Sequence, residues 1–223
     1  MLAPTLEALQ SLMKGENGVT YFSLPFRQAT QDDAKELAVF VNMAGEGLPL
    51  YLWQQMAAPA ESPWEIGYAR AMRETGAFSF RNAVLRLYGG EVAACLIGYP
   101  LENDPSAVDD TDIPPMFVPL HQLEALVPDC WYINVIATKK MYRGKGIGKE
   151  LLVLAENIAS SQGRFSLSLI VADTNTAARN FYTRYGYREF AHRPMVKEQW
   201  VHPGQNWVLM TKNLDDNAEV FDA

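Results

Sequence analysis

The stretch Tyr142-Arg143-Gly144-Lys145-Gly146-Ile147-Gly148-Lys149 places three glycines and three cations between two apolar-patterned segments, Trp131 to Thr138 and Glu150 to Ser161. That order predicts a strand, a tight turn and an amphipathic helix. Glycine lets a backbone bend sharply and come close to a ligand. The first amides of a helix have no intrahelical acceptor, and the helix dipole adds positive character there. Such a turn can hold an anion, most naturally a phosphate, and Arg143 and Lys145 add side-chain charge. Two nucleotide-binding patterns fit poorly. A Walker A loop needs Gly, four residues, then Gly-Lys-Ser/Thr, but Arg143 stands at the first glycine position and Glu150 follows Gly148-Lys149. A dinucleotide fingerprint follows its strand at once, whereas Lys139 to Tyr142 intervene here and Lys149 takes the place of the third glycine. A purely structural turn is the remaining reading of this stretch taken alone.

Further along, Asn175-x-x-Ala178-x-x-Phe181-Tyr182-x-x-Tyr185-Gly186-Tyr187 has the form of a capped helix. Asn175 caps it, Ala178, Phe181, Tyr182 and Tyr185 form its apolar face, and Gly186 ends it. Tyr182 either packs in the core or offers a phenol that is protonated at neutral pH and able to donate. Among carboxylates, Glu46 stands out between Gly45 and Gly47, with Glu65 second. His121, His192 and His202 are isolated, and no spacing marks a metal site. Cys95 and Cys130 lie in apolar strand-like runs without zinc or disulfide spacing, which fits buried thiols in a reducing compartment.

These residues need a scaffold, and the chain supplies one in order. Thr5 to Met13 has helical spacing of Leu6, Leu9 and Met13. Tyr21 to Arg27 predicts a strand. Thr30-Gln31-Asp32-Asp33 resembles a capping box that opens a helix with the face Ala34, Leu37, Ala38 and Val41, closed by Gly45. Leu48 to Met56 and Trp64 to Glu74 predict a Trp-rich helical pair, which forms core or walls an acceptor pocket. Ala83 to Tyr88 and Glu91 to Tyr99, joined by Gly89-Gly90, predict a hairpin. Leu101 to Asp129 is long and rich in Pro and Asp, with a short turn at Leu120 to Leu126; it is either a lid or an insertion. Trp131 to Thr138 is the central strand, and alternating Phe165, Leu167, Leu169 and Val171 predict the next. Tyr187 to His192 and Asn206 to Lys212 complete a strand pair.

Arg143-x-x-Gly146-x-Gly148 resembles the Arg/Gln-x-x-Gly-x-Gly/Ala signature of the GNAT superfamily of N-acetyltransferases, and the segment Asn175 to Tyr187 resembles a second signature of that family. The resemblance covers Tyr21 to Leu214. It implies an α/β fold with a mixed sheet, helices on both faces and a splayed central parallel strand pair. It further implies transfer of an acetyl group from acetyl-CoA to a primary amine of a small molecule, peptide or protein. By the same resemblance, Arg143, Gly144, Lys145, Gly146, Ile147 and Gly148 would grip the pyrophosphate. Ile136, Ala137 and Thr138 would meet the pantetheine arm, Asn175 would contact CoA, and Tyr182 would be the general acid. The family often places a Glu or His on the central strand as base; this strand offers only Tyr132 and Asn134 there, which makes Glu46 the candidate base. A non-catalytic acyl-CoA-binding module is the competing reading. Family members are often dimers, so a homodimer is compatible.

A chain of 223 residues with 48% hydrophobic residues fits one large globular domain. The expected division is an amino-terminal helical extension over 1–20, the catalytic domain over 21–214 and an acidic tail over 215–223. A net charge of -7 argues against a nucleic-acid partner. No signal-peptide pattern or membrane-length apolar run is visible, so the expectation is a cytoplasmic protein that binds neither membrane nor metal.

Overall fold

The computed structural model describes residues 13–14, 20–102 and 113–214, with side chains from residue 22. The expected helix over Thr5 to Met13 falls largely outside these residues, as do the acidic tail and the middle of the Pro-rich segment. At its end, Met13–Lys14 (β1) is extended and pairs antiparallel with Thr20–Tyr21 (β2).

The other strands are Phe26–Gln28 (β3), Ala83–Tyr88 (β4), Glu91–Pro100 (β5), Trp131–Thr138 (β6), Ser166–Ala172 (β7), Arg188–Pro194 (β8) and Asn206–Asn213 (β9). They form one seven-stranded mixed sheet in the order β3-β4-β5-β6-β7-β9-β8. The helices are Ala34–Ala44 (α1), Leu48–Met56 (α2), Pro63–Ala71 (α3), Val118–Glu124 (α4), Ile147–Ser161 (α5) and Thr176–Arg184 (α6). Packing divides the chain into two units, Met1–Gly98 with Asn134–Asn157, and Tyr99–Ile133 with Ile158–Ala223.

In the first unit, the capping box forms as the sequence predicts. Thr30 N donates to Asp33 Oδ2 at 2.8 Å, and Asp33 also takes a two-pronged bond from Arg27 at 2.7 Å on each oxygen. These contacts, the Arg27 guanidinium foremost, hold the Asp33 carboxyl below the usual range. The first turn, Gln31–Asp33, is a 3-10 turn, and α1 follows it. Leu37 and Phe40 of α1 join Leu85, Cys95, Ile97, Val135 and Ala137 in one buried cluster. The strand expected over Tyr21 to Arg27 is shorter and later, because only Phe26–Gln28 pairs with β4. The Trp-rich helices are partly core: Trp53 is buried and meets Trp64 edge to face with ring centroids 5.7 Å apart. Gly67 permits this approach, since a Cβ there would stand 2.6 Å from the Trp53 ring.

The same unit contains an ion pair that joins β4 to α5. Arg86 Nε donates to Glu150 Oε2 at 2.9 Å, a second guanidinium nitrogen lies 2.9 Å from the same oxygen, and Arg86 also donates to the Leu87 carbonyl at 2.6 Å. Both side chains are largely hidden, at 9% and 16% exposure.

In the second unit, β6 pairs parallel with β7 from Trp131↔Leu167 to Ile133↔Leu169, and the ladder ends there while both strands continue. β7 and β8 both flank β9 antiparallel. The carboxylate of Asp173, just past β7, accepts from Gln205 N at 3.0 Å and Asn206 N at 2.9 Å, which fixes the start of β9. Asn175 Oδ1 accepts from Ala178 N at 3.1 Å and so caps α6 as expected. Gly186, at φ 89, turns the chain out of that helix. Ser168 has no exposed surface, and its hydroxyl lies 2.9 Å from Cys130 Sγ. Both cysteines are buried free thiols, and burial pushes both above the ordinary thiol range.

Truncating Arg86 or Glu150 to alanine leaves an uncompensated buried charge, with an expected cost of about 3 kcal/mol. The denaturant midpoint should fall accordingly. Replacing both residues with apolar ones of similar size should recover most of the loss. A loss below about 1 kcal/mol for each single change would show that the pair contributes little.

Candidate active site

The glycine-rich turn lies wholly in the first unit. A short 3-10 turn, Lys140–Tyr142, follows β6, and α5 begins at Ile147. Gly144 and Gly146 take φ values of 76° and 82°, and a Cβ at either would meet open space. Crowding therefore does not select glycine here; the left-handed backbone does, because a Cβ would strain it. The first helical bond within α5 runs from Glu150 N to Gly146 O at 3.2 Å, so the amides just ahead of it belong to the turn that has no intrahelical acceptor. Ile147 is the buried anchor beneath, at 1% exposure. Arg143, Gly144, Lys145 and Gly146 are exposed.

Side chains hold this turn to its strand. Arg143 Nε donates to the Thr138 carbonyl at 3.1 Å, which brings the turn and the end of β6 together. Lys139 at the end of the strand pairs with Glu36 of α1 at 2.9 Å. Around the turn, Tyr88 lies 5.4 Å from Tyr142, ring to ring, with Lys145 Nζ 4.8 Å from the Tyr88 centroid. Along β6, Ile136 and Thr138 are half-buried, Ala137 is buried and Asn134 is exposed. Glu46 sits in the same unit on the turn between α1 and α2, exposed and at φ 51. Glu65 is exposed in the first turn of α3.

The other two predicted site residues lie in the second unit on a single helix. Asn175 is the cap of α6. Tyr182 is 8% exposed and packs between Phe181 at 5.5 Å and Tyr187 at 5.9 Å. Burial raises its phenol above the ordinary range, so it carries its proton throughout the neutral range. His202 stacks on Trp200 at 4.4 Å and accepts from Gly204 N at 3.0 Å, a structural role. A cavity of about 390 Å³ beside β8 is lined by Asp173, Glu189 and His192 among others, and none of the predicted site residues lines it. Among the described residues no group of three or more His, Cys, Asp or Glu is placed to hold a metal. No helix among them is long and apolar enough to cross a membrane.

A further set of groups in the second unit was missed. Glu124, at the end of α4, accepts a hydrogen bond from the Tyr132 hydroxyl of β6. Burial pushes its carboxyl up to about 7, against the smaller opposing effect of that bond. Tyr99, at the end of β5, meets Tyr132 edge to face at 5.7 Å. Among the described residues no cation pairs with Glu124. The available signal was faint: a carboxylate one residue past a buried Leu123, in a segment whose pattern is otherwise irregular.

The mixed sheet contains a parallel strand pair, β6 with β7, and a glycine turn leads from β6 into α5. The profile of the Acetyltransferase (GNAT) family matches residues 50–187, and the chain belongs to that family. Among solved structures it is similar to one described as an acetyltransferase, with 24% identity, a TM-score of 0.59 and coverage of 86% of this chain and 100% of that one. An N-acetyltransferase from Staphylococcus aureus Mu50 is similar at 20% identity and TM-score 0.54, covering 83% of this chain and 98% of that one. Ard1 from Thermoplasma volcanium is similar at 15% identity and TM-score 0.51, covering 85% and 96%. At these identities the likeness establishes the fold. No curated protein sequence matches the chain.

The raised Glu124 carboxyl has a consequence for stability. Glu124 holds its proton up to about pH 7 when folded, against an ordinary value of 4.5. Between those values the folded protein binds more protons than the unfolded chain, so this group lowers stability as pH rises, and the penalty is complete above the folded value. Glu124→Gln should therefore raise the melting temperature relative to wild type more at pH 8 than at pH 5. An equal difference at both pH values would show that Glu124 titrates normally.

Proposed function

We propose that this protein transfers an acetyl group from acetyl-CoA directly to a primary amine of a small molecule, peptide or protein. The observation that carries this reading is the pair of left-handed glycines, Gly144 and Gly146, which open a cationic, solvent-facing helix start. That arrangement suits a diphosphate: Gly144, Lys145, Gly146, Ile147 and Gly148 would bind it largely through backbone amides, with Arg143 and Lys145 adding charge. Ile136, Ala137 and Thr138 would offer strand backbone to the pantetheine arm, and Asn175 would contact CoA. Acetyl-CoA supplies an acyl carbon activated as a thioester.

The residues then have separate tasks. A strand N–H near Ile136 would stabilise charge that builds on the acyl oxygen. Tyr182 would give its proton to the departing sulfur, a role its raised phenol suits. An alkyl ammonium acceptor has a pKa of about 10.4, so only about one molecule in a few thousand is uncharged at neutral pH. A base is needed, and Glu46 is the candidate read from the sequence. Direct transfer is favoured over an acyl-cysteine route because Cys130 is buried and its thiol is held protonated.

The test is CoA release from acetyl-CoA with tryptamine, spermidine and a lysine-containing tripeptide, with mass detection of the acetylated product. Tyr182→Phe should lower turnover about 100-fold with CoA affinity unchanged, and Gly146→Val should abolish CoA binding in calorimetry. CoA binding without amine-stimulated release would instead identify a non-catalytic acyl-CoA-binding module. Unchanged behaviour of both variants would refute the assignment of the turn and of Tyr182.

A further inference from the structure

Three cations beside the glycine turn are engaged by oxygen. Lys139 pairs with Glu36 at 2.9 Å, Arg86 pairs with Glu150 at 2.9 Å, and Arg143 donates to the Thr138 carbonyl at 3.1 Å. Lys145 is held differently. It stands between the two left-handed glycines, and among the described residues no carboxylate pairs with it. Its ammonium lies over the ring of Tyr88, 4.8 Å from the centroid, within the reach of a cation–π attraction. The difference matters for an anion site. A carboxylate partner would cancel the charge that it orients. An aromatic face attracts the ammonium through its quadrupole and carries no net charge, so the cation keeps its field for an incoming anion. A lysine without any partner samples many rotamers, and an anion that binds it must first order it. One already held on a ring needs less ordering.

The Tyr88 ring is fixed from several sides, all within the first unit. Tyr88 is the last residue of β4 and pairs with Glu91 across Gly89-Gly90, both at positive φ. That two-residue turn sets where the strand ends. Tyr142, in the short 3-10 turn that precedes Arg143, supports the ring at 5.4 Å between centroids, tilted by 42°. The Arg86 guanidinium comes within 5.5 Å of the same centroid, with its own charge met by Glu150 in the first turn of α5. Strand, turn and helix therefore converge on one ring. Tyr88 is nonetheless 41% exposed, and Lys145 is exposed with the glycines on either side of it. The pair faces the solvent from which a ligand would come.

We propose that Tyr88 is a positioning residue for diphosphate binding. Its ring holds the Lys145 ammonium in place, so that this side-chain charge and the backbone donors of Gly144 to Gly148 act on the same diphosphate. This inference rests on the acetyl-CoA reading above and adds to it a residue from the hairpin, outside the glycine turn. Tyr88 acts through Lys145 and touches no reacting atom, so its effect is read in affinity.

The experiment measures dissociation constants of CoA and of dephospho-CoA by calorimetry. The proteins are wild type, Lys145→Gln, Tyr88→Leu, Tyr88→Phe, and Tyr88→Leu combined with Lys145→Gln. Lys145→Gln should weaken both ligands about tenfold, as loss of a charged hydrogen-bond donor does. Tyr88→Leu should weaken both about fivefold, the size of an exposed cation–π contact. Tyr88→Phe keeps the ring face and should bind as wild type does. The double variant should bind no more weakly than Lys145→Gln alone, because the ring then has no ammonium to hold; a ring that only supports the fold would keep its own cost there. Tyr88→Met repeats the test should the leucine variant melt early. With wild-type binding intact, a Tyr88→Leu loss that persists in full in the Lys145→Gln background overturns this inference alone. So does an unchanged affinity in Tyr88→Leu, or an equal loss in Tyr88→Phe. Tighter binding by Tyr88→Leu overturns it as well, since the ring would then draw the ammonium away from the ligand. A loss seen with CoA and absent with dephospho-CoA also overturns it, because the ammonium would serve the phosphate on the ribose. A wild type that binds neither ligand overturns the acetyl-CoA reading and this inference with it.

Discussion

The constraint on which the rest of the first unit depends is a solvent-facing helix start, whose leading backbone amides have no intrahelical acceptor. They exist because two left-handed glycines on either side of Lys145, Gly144 and Gly146, swing the chain from the end of β6 into α5. A helix start left open is stable only if the helix itself is fixed. Ile147 anchors it from below by burial, and the Arg86–Glu150 pair ties its first turn to the hairpin strand beside it. Arg143 closes the arrangement on the strand side through the Thr138 carbonyl. Rigid support around a deliberately unsatisfied backbone is what anion recognition requires, since the ligand then meets donors that need no rearrangement.

The second theme is the use of burial to set protonation. Tyr182 is buried and Glu124 half-buried, and loss of water raises both groups above their ordinary values. A phenol that is harder to ionise remains a proton source. A carboxyl raised toward neutrality changes charge within the neutral range, where an exposed carboxylate would not. The hydrogen bond from Tyr132 opposes the shift.

Much of this was legible in the sequence, and the division follows the range of the interactions. The Thr30–Asp33 capping box, the Gly89-Gly90 hairpin, the glycine turn and the Asn175 cap are contacts within a few residues, so their spacing carries them. The central strand appears with its expected bounds because its apolar run is long and continuous. The strand at Phe26–Gln28 was misplaced because pairing with β4, not local propensity, decides which residues join the sheet. Arg86 and Glu150 stand 64 residues apart, and no local pattern relates them. Glu124 was hidden for the same reason: its partner Tyr132 stands on another element, and its own segment has no periodicity to announce a helix.

The two sulfurs described earlier have a practical bearing. Cys95 is sealed in the core and Cys130 shares a hydrogen with Ser168, and both resist forming the thiolate through which alkylating and disulfide reagents act. With just two cysteines in the chain, the native protein is nearly silent toward a colorimetric thiol reagent. The thiol release proposed for this protein would therefore be followed continuously against a flat baseline, and a rising blank would itself report that the fold has opened.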